Sequence, residues 1–347
     1  APPAGPAGRP EERDCGADLL ALVGDVSWVY EQYDHQLFLN TVEGLGGDAA
    51  VLRLKAPGLP ATRRGLALST DGNSRWCRVD PRQGAAMTVA ESALNVACAG
   101  ARPVAVVDCL NFGNPEHPEV MWQLSEVVDG LAEACRALGL PIVGGNVSLY
   151  NESQGRDIDP TPVVGVVGLI DRLERPVPGP SLAPGQRLVL LGETVPSPAG
   201  SRWAAEHAPD AAPPGERLPP LGLAGHRDLV EVVVGLVTDG VVNGLHDVSD
   251  GGLGVALAEM AVRSGTGVVV RGIATAAELF SESPSRVVVC AADPDGVAAR
   301  ARAAGVIVTE LGIAGGDRLV VEGLVDVALD DVVHAWRSTL PARLAAS

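Results

Sequence analysis

Residues 104–148 have the sequence VAVVDCLNFGNPEHPEVMWQLSEVVDGLAEACRALGLPIVGGNVS, which contains two short apolar runs separated by a helical pattern. Val104–Asp108 has a buried-strand pattern, the helical stretch ends at Leu138 before a glycine, and Ile142–Val143 leads into Gly144-Gly145-Asn146. This order predicts a βαβ unit, whose crossover makes both strands parallel with their carboxyl ends at one edge. We therefore expect Asp108 and Asn146 to lie side by side.

The composition of the whole chain agrees with this α/β unit. A length of 347 residues corresponds to about two domains. Hydrophobic residues make up 46% and aromatic residues only 3%, so the cores must be built from aliphatic side chains, which favours layered α/β packing. The expected fold class is an α/β domain with a mixed sheet followed by an α+β domain.

The charge balance excludes several classes of partner. Twenty-six basic and 43 acidic residues give a net charge of -17, and such a surface repels phosphate backbones and anionic lipids. No cluster of arginines is visible along the sequence, so we expect neither a nucleic-acid nor a membrane partner. Lys55 is the only lysine and follows no glycine-rich loop, which excludes a P-loop.

The cysteines and the termini indicate a location. Six cysteines without a C-x-x-C pair argue against disulfides and zinc, and favour a reducing, cytoplasmic compartment. Residues 1–14 have no apolar stretch of the signal-peptide type, and no run of ~18 apolar residues occurs, so a soluble protein is expected. The chain does not begin with methionine, which is compatible with a piece of a longer protein.

We expect five segments along the chain. They are a flexible lead (1–16), an α/β domain (17–174), a Pro/Gly-rich linker (175–187), an α+β domain (188–335) and a tail (336–347). The proline-rich insert 208–221 is predicted to be a surface loop. Further helices are predicted over 17–23, 85–99, 226–236, 253–264 and 294–304, and further strands over 49–54, 65–69, 188–192, 267–271, 286–291 and 306–311.

The edge formed by residues 108–116 and 144–148 carries the strongest chemical signal. Open sheets bind ligands beyond the carboxyl ends of parallel strands, where glycines let the backbone approach a phosphate. Asp108 could ligate Mg2+ or accept hydrogen bonds from a ribose or adenine, the amide oxygen of Asn146 suits Mg2+, and Ser148 can donate to a phosphate. The alternative is a network of Asx turns that only closes the loops.

Two other motifs have a structural and a functional interpretation. The string His246-Asp247-Val248-Ser249-Asp250-Gly251-Gly252 precedes an apolar helix, so Ser249 or Asp250 could be its N-cap, or the acids could hold a metal-bridged phosphate. Thr70-Asp71-Gly72-Asn73 is typical of a turn that ends a strand. For His35 we predict only a surface or loop-packing role, and no arrangement of serine, cysteine and histidine indicates a nucleophile triad.

Several strings together resemble one enzyme family. The chain is similar, from about residue 20 to about residue 330, to the second half of the large catalytic subunit of phosphoribosylformylglycinamidine synthase. That family belongs to the aminoimidazole ribonucleotide synthetase-like superfamily, and its full subunit resembles two fused copies of one α/β plus α+β unit about a pseudo-twofold axis. The strings that carry the resemblance are Trp28–Gln36, Gly46–Val51, Thr70–Asn73, Asp108–Glu116, Gly144–Ser148 and His246–Leu253.

The resemblance implies a ligase reaction in purine biosynthesis. In that family, ATP activates the amide oxygen of formylglycinamide ribonucleotide, and ammonia from a glutaminase subunit displaces the phosphate, with Mg2+ offsetting the phosphate charge. Partners implied for this chain are the N-terminal half of the same enzyme, the glutaminase subunit and a small accessory subunit. The alternatives are a stand-alone homodimeric synthetase or kinase of the same superfamily, and a catalytically silent scaffold half.

The site residues are carried over from matched motifs. The resemblance assigns Asp108 and Gly145 to ATP, Asn146 to Mg2+ and Ser148 to the substrate, and it assigns no catalytic residue, because the family's catalytic histidine and ATP-binding lysine belong to the other half. A pseudo-equivalent second site would use Asp71 and Asp247. That site departs from the family pattern at Pro198-Ala199-Gly200-Ser201 and at Glu282-Ser283-Pro284, so we expect it to be degenerate.

Overall fold

The computed structural model describes residues 14–34, 36–60, 62–207 and 217–346. The predictions for residues 1–13, for His35 and for most of the insert at 208–221 lie outside these ranges.

The elements up to residue 170 are the helices α1 Cys15–Leu22, α2 Ser74–Val79, α3 Pro81–Cys98 and α4 Pro118–Leu138, and the strands β1 Thr41–Glu43, β2 Ala50–Arg53, β3 Gly65–Gly72, β4 Arg102–Asn111, β5 Ile142–Ser148, β6 Glu152–Ser153, β7 Arg156–Asp157 and β8 Thr161–Ile170.

The elements that follow build a second sheet and its helices. Each predicted helix and strand is present, with ends that differ by a few residues, as is usual for element boundaries. The elements are the strands β9 Arg187–Leu191, β10 Gly244–Asp247, β11 Val268–Val270, β12 Val287–Ala291, β13 Val308–Ala314, β14 Arg318–Val321 and β15 Val325–Ala328, and the helices α5 Arg202–His207, α6 Leu223–Asp239, α7 Gly252–Ser264, α8 Ala276–Phe280, α9 Pro294–Ala303 and α10 Leu329–Ala346.

The first sheet contains the predicted βαβ unit. Its order is β1-β2-β3-β8-β4-β5, and β4 and β5 pair in parallel, as expected from the sequence. Helix α4 joins them: Pro118 occupies its first turn, and Gly139 ends it in the left-handed conformation at φ +70°. Because β8 runs antiparallel to both β3 and β4, the sheet is mixed, which confirms the predicted α/β class.

The second sheet has the order β10-β12-β9-β13-β11-β14-β15 and is mostly antiparallel, with one parallel pair between β11 and β14. Helices α7 and α10 pack against one cluster of buried residues at this sheet, and α6 and α9 against another. Helix α3 is buried almost all round, because it lies between the first sheet and α6. This arrangement confirms the α+β class of the second unit.

Strand β8 was not predicted, although it lies at the centre of the first sheet. Its residues alternate between buried and half-buried, but two glycines and a proline weaken the strand signal of the sequence. The glycine at 168 is required by packing, because a Cβ there would lie 2.2 Å from Cγ1 of Val96 on α3. The preference for glycine thus comes from the neighbouring helix.

The ends of the chain differ from the predicted boundaries. Helix α1 was assigned to the first domain, but Leu19 and Leu22 pack with Phe280 in the core of the second sheet. The predicted tail continues α10 as far as Ala346, and the backbone carbonyl of Trp336 accepts a hydrogen bond from Asp25. Local spacing identifies a helix but not the sheet that it covers, so only the tertiary structure could place these helices.

Among the described residues, no helix combines the length and the apolar character that crossing a membrane requires.

Candidate functional site

The register of β4 and β5 brings the four predicted edge residues together. Asp108 pairs with Gly145, Cys109 with Asn146, and Asn111 with Ser148. The segment from Gly144 to Ser148 was expected to form a loop, but it is part of β5. The parallel ladder with β4 pairs its backbone, which outweighs the strand-breaking tendency of the two glycines.

Asp108 and Gly145 lie on the face of the sheet that α4 covers. A Cβ at position 145 would lie 2.4 Å from Oδ1 of Asp108, so only glycine lets this carboxylate reach across β5. Burial raises the pKa of Asp108 above its usual value. Burial also raises the pKa of the nearby Cys135 thiol on α4, and the charge of Asp108 adds to this effect, so that the pKa of the thiol is about 11.

Asn146 and Ser148 lie on the opposite face, because side chains alternate along a strand. The amide nitrogen of Asn146 lies 3.8 Å from Sγ of Cys109, the residue opposite it on β4. The hydroxyl of Ser148 is 3.3 Å from Oδ1 of Asn151, whose amide nitrogen donates to the Phe112 carbonyl at 3.0 Å. Asp108 and Asn146, which were expected to lie side by side, are therefore adjacent in register, but their side chains lie on opposite faces of the sheet.

The donor set at Asn146 fits a magnesium ion only in part. An amide oxygen is a suitable hard ligand, but it supplies one of the roughly six oxygens that Mg2+ requires. The remaining ligands would have to come from nucleotide phosphates, from water or from another chain. Since β5 is the edge strand of its sheet, a ligand bound at this edge is within reach of side chains on both faces.

The loop after β4 is joined to β7 by an ion pair that the sequence did not indicate. Nδ1 of His117 lies 2.6 Å from Oδ2 of Asp157, and Oδ1 of Asp157 accepts a hydrogen bond from the backbone of Asn114 at 2.7 Å. The hydrogen bond that His117 donates to the Asp157 carboxylate raises the pKa of His117. The two partners are 40 positions apart in the chain, with α4, β5 and β6 between them, so the sequence had no spacing signal for this pair.

The second predicted pair, Asp71 and Asp247, lies in a buried acidic cluster between the two sheets. Asp71 accepts a hydrogen bond from Nδ2 of Asn95 at 2.9 Å and another from Ser69. Asp48, His246 and Asp247 place ligand atoms within 4.8 Å of one another. The sequence had given no role to Asp48, which belongs to the Gly46–Val51 string.

Burial and the neighbouring carboxylates together control the protonation of this cluster. Burial, and then the charge of Asp48, raises the pKa of Asp247 to about 7. Burial lowers the pKa of His246, but Asp48 and Glu259 raise it more, so that it lies well above the usual value. The two ring nitrogens of His246 lie 2.5 Å from Asp48 and 2.7 Å from Glu259, so the ring is held as an imidazolium between two carboxylates and is not a metal ligand in this state.

The turn before α7 is held by Glu282 and not by the residues predicted as N-caps. The N-cap of α7 is Gly251, at φ +80°, so the N-cap interpretation of Ser249 and Asp250 is wrong. Oε1 of Glu282 accepts hydrogen bonds from the backbone N–H of Gly251 at 2.9 Å and of Arg202 at 2.7 Å. Its other oxygen accepts from Nε1 of Trp76 at 3.0 Å.

The cavity at the predicted second site is small. Glu282 is 2% exposed, and burial, followed by the charge of Asp250, raises its pKa to about 7. The cavity that Glu282 lines together with Trp76, Glu91 and Asp247 has a volume of about 20 Å³. This volume is comparable to that of one water molecule. Asn73 caps α2. The prediction of a turn over Thr70–Asn73 is wrong, because Thr70, Asp71 and Gly72 continue β3 and pair with β8.

Comparison with known proteins gives a consistent family. The model described as AIR synthase related protein, N-terminal domain, matches residues 46–170, and the corresponding C-terminal domain model matches residues 183–323. The phosphoribosylformylglycinamidine synthase subunit PurL of Anaeromyxobacter dehalogenans is 42% identical over 98% of this chain and 47% of its own length. The same subunit of a Nocardioides species is 46% identical over 94% of this chain and 43% of its own length. The chain thus spans about half the length of these curated relatives.

Solved structures show the same fold. Thermotoga maritima PurL complexed with FGAR has a TM-score of 0.73 at 18% identity, over 94% of this chain and 55% of that chain. A chain of the HypE–HypF complex has a TM-score of 0.61 at 16% identity, over 87% of this chain and 98% of that chain. From the two domain models in order, the fold and these relatives, we conclude that the chain belongs to the AIR synthase related family and is a relative of the phosphoribosylformylglycinamidine synthase subunit PurL.

Proposed function

We propose that this chain is the C-terminal half of a phosphoribosylformylglycinamidine synthase large subunit. The complete enzyme would catalyse the ATP-dependent amination of formylglycinamide ribonucleotide to the amidine, with ammonia derived from glutamine. The observation that carries the proposal is the pairing of β4 with β5, which brings the four motif-matched residues into neighbouring registers. The sequence similarity to relatives of twice this length supports the assignment to one half.

The four edge residues receive the roles that their positions allow. Asp108 and Gly145 would bind ATP from the helix-covered face, while Asn146 would ligate Mg2+ and Ser148 would bind the substrate on the other face. The T. maritima PurL structures with ATP, ADP and FGAR support ligands of these classes. Bound Mg2+ would neutralise phosphate charge, and the residues of this chain would orient the ligands. None of them is assigned to proton transfer or nucleophilic attack.

The partners follow from the same proposal. The N-terminal half would cover the open face of the first sheet, where apolar side chains alternate with the site residues. The T. maritima PurLQS structure supports an assembly with further subunits, which we take to be a glutaminase and a small accessory subunit. Cytoplasmic localisation and the absence of nucleic-acid and membrane partners remain predictions from charge and composition.

Asp71 and Asp247 would form the degenerate counterpart of the active site. The small cavity and the buried carboxylate of Glu282 support a structural role without a bound nucleotide.

A second candidate is a stand-alone homodimeric synthetase or kinase, because one matched chain, that in the HypE–HypF complex, is covered almost completely by a unit of this size. One experiment separates the half-enzyme from the homodimer. The purified chain is incubated with ATP, Mg2+, ammonium and formylglycinamide ribonucleotide, and ADP release and the native mass are measured. We expect no ADP above background from the chain alone and turnover when the N-terminal half is added. ATP turnover by a homodimer would contradict the half-enzyme proposal, and no turnover in the reconstituted assembly would favour a silent scaffold.

A further inference from the structure

Two adjoining cavities lie at the end of the first sheet that is remote from Ser148. Strand β4 begins here at Arg102 and ends at Asn111, roughly 30 Å away at 3.3 Å per residue. The segment from Leu173 to Val177 lines both cavities, whose volumes are about 450 and 290 Å³. The larger volume falls within the roughly 300–1,000 Å³ of small-molecule sites.

Arginines from separate parts of the chain meet at these cavities. The larger cavity is lined by four and the smaller by three, with one shared between them. They come from the β2–β3 hairpin, the start of β4 and the segment after β8, so the sequence alone shows no cluster. The arginines are Arg53, Arg63, Arg64 and Arg175 at the larger cavity, and Arg102, Arg172 and Arg175 at the smaller.

The acidic residues nearby neutralise only some of these charges. Two carboxylates line the larger cavity: Glu43 pairs with Arg263, outside it, and Glu174 pairs with Arg63 and Arg172. Within the part of the chain that the structure describes, Arg53 and Arg64 have no carboxylate partner. Arg175 donates to the backbone carbonyl of Asp239 and has no carboxylate partner among the described residues. The cavity is therefore locally positive in a chain whose net charge is -17.

The walls of the larger cavity match an organic anion. Guanidinium groups suit phosphate, because their fork of donors can bind two oxygens at once. Val42, Leu173, Pro176 and Val177 provide apolar surface beside them. We propose that this cavity binds a small organic phosphate carrying at least two negative charges, at a site separate from Asp108–Ser148. The proposal does not depend on the reaction assigned to the chain.

Isothermal titration calorimetry on the full chain tests this site. The probes are pyrophosphate, inorganic phosphate and ribose 5-phosphate, in 0.15 M NaCl so that diffuse attraction is screened beyond about 8 Å. We expect ribose 5-phosphate to bind more tightly than inorganic phosphate. Arg53→Gln and Arg64→Gln should each weaken binding on the order of 10-fold, which is typical of a lost charged hydrogen bond.

The matched control is Arg302→Gln, an exposed arginine of α9 for which the structure shows no carboxylate partner among its described residues. It should bind like the unchanged chain. Asp108→Asn alters the candidate ATP site, and in this background the binding that remains should still be weakened by Arg64→Gln. Circular dichroism checks that each variant is folded. The proposal is overturned by three results: no heat with any probe, equal losses in Arg302→Gln and Arg53→Gln, or binding abolished by Asp108→Asn but unaffected by Arg64→Gln.

Discussion

At the residue scale, the proposed role of Asn146 rests on its position. It lies on the edge strand β5, exposed, with its amide nitrogen near Cys109 and no packing role in the core. In the reconstituted assembly we expect Asn146→Ala to slow Mg2+-ATP use by about 10- to 1,000-fold, the usual cost of losing one metal or transition-state contact. Steady-state kinetics with varied Mg2+ measure this effect.

Asn146→Asp is the matched control, because it keeps an oxygen ligand and should retain more activity than the alanine variant. Thermal unfolding of both variants should be close to that of the unchanged protein. Unchanged kinetics together with a higher unfolding temperature for Asn146→Ala would instead identify Asn146 as a strained strand residue.

A second residue-scale prediction concerns His226. Its side chain is buried with Nδ1 2.8 Å from the hydroxyl of Ser285, and burial lowers its pKa to about 4. The unfolded chain has a histidine pKa of about 6.5, so between pH 6.5 and 4 the unfolded state binds a proton that the folded state does not. The free energy of unfolding should therefore decrease as the pH falls through that window, and the contribution of His226 to this decrease is about 3 kcal/mol at most.

Urea unfolding of the His226→Asn variant between pH 7 and 4 tests this linkage. The difference in unfolding free energy between the unchanged chain and the variant should shift in favour of the variant as the pH falls. His334→Asn, at an exposed position on α10, is the control for replacing a histidine by asparagine. A constant difference between His226→Asn and the unchanged chain would mean that His226 does not titrate in this window.

At the scale of elements, two helical glycines predict opposite effects of the same substitution. Gly130 on α4 lies against the start of α3, where a Cβ would come within 2.1 Å of the backbone oxygen of Arg82. Gly130→Ala should therefore separate the helices and destabilise the fold by about 1–3 kcal/mol. Gly235 on α6 has no atom within 4 Å of the added Cβ, so Gly235→Ala should stabilise by roughly 0.5–1 kcal/mol through helix propensity.

Chemical denaturation of both variants measures the two changes against the same unchanged chain. Equal effects of the two alanines would show that helix propensity, and not the contact between α3 and α4, controls the result. The helix periodicity of the sequence located both glycines within helices, but it could not distinguish the packed position from the open one.

At the scale of the whole molecule, the open face of the first sheet exposes several apolar side chains. Leu68 and Val107 are 41% and 46% exposed, and Val163, Val167 and Leu169 beside them are half-buried. Apolar patches beyond several hundred Å2 usually mark an interface. We expect the isolated chain to form a defined dimer through this face, because the net charge of -17 opposes unspecific aggregation.

Light scattering across micromolar concentrations reports this association. Val107→Glu should shift the chain towards the monomer, whereas Val128→Glu, on the outer side of α4 and also 46% exposed, should not. A clean monomer of the unchanged chain at ~100 µM would contradict the prediction of an uncovered partner surface.

The sequence by itself determined the α/β and α+β classes, the parallel pairing around Asp108 and Asn146, and most helices. These features depend on local periodicity and on the order of elements along the chain, both of which can be read directly from the sequence. Only the tertiary structure decided the central position of β8, the association of α1 with the second core, the division of Asp108 and Asn146 between two faces, and the meeting of Asp48 with His246 and of Arg53 with Arg175. Each of these features depends on contacts between segments that are far apart in the chain, and a single sequence does not show which distant surfaces pack together.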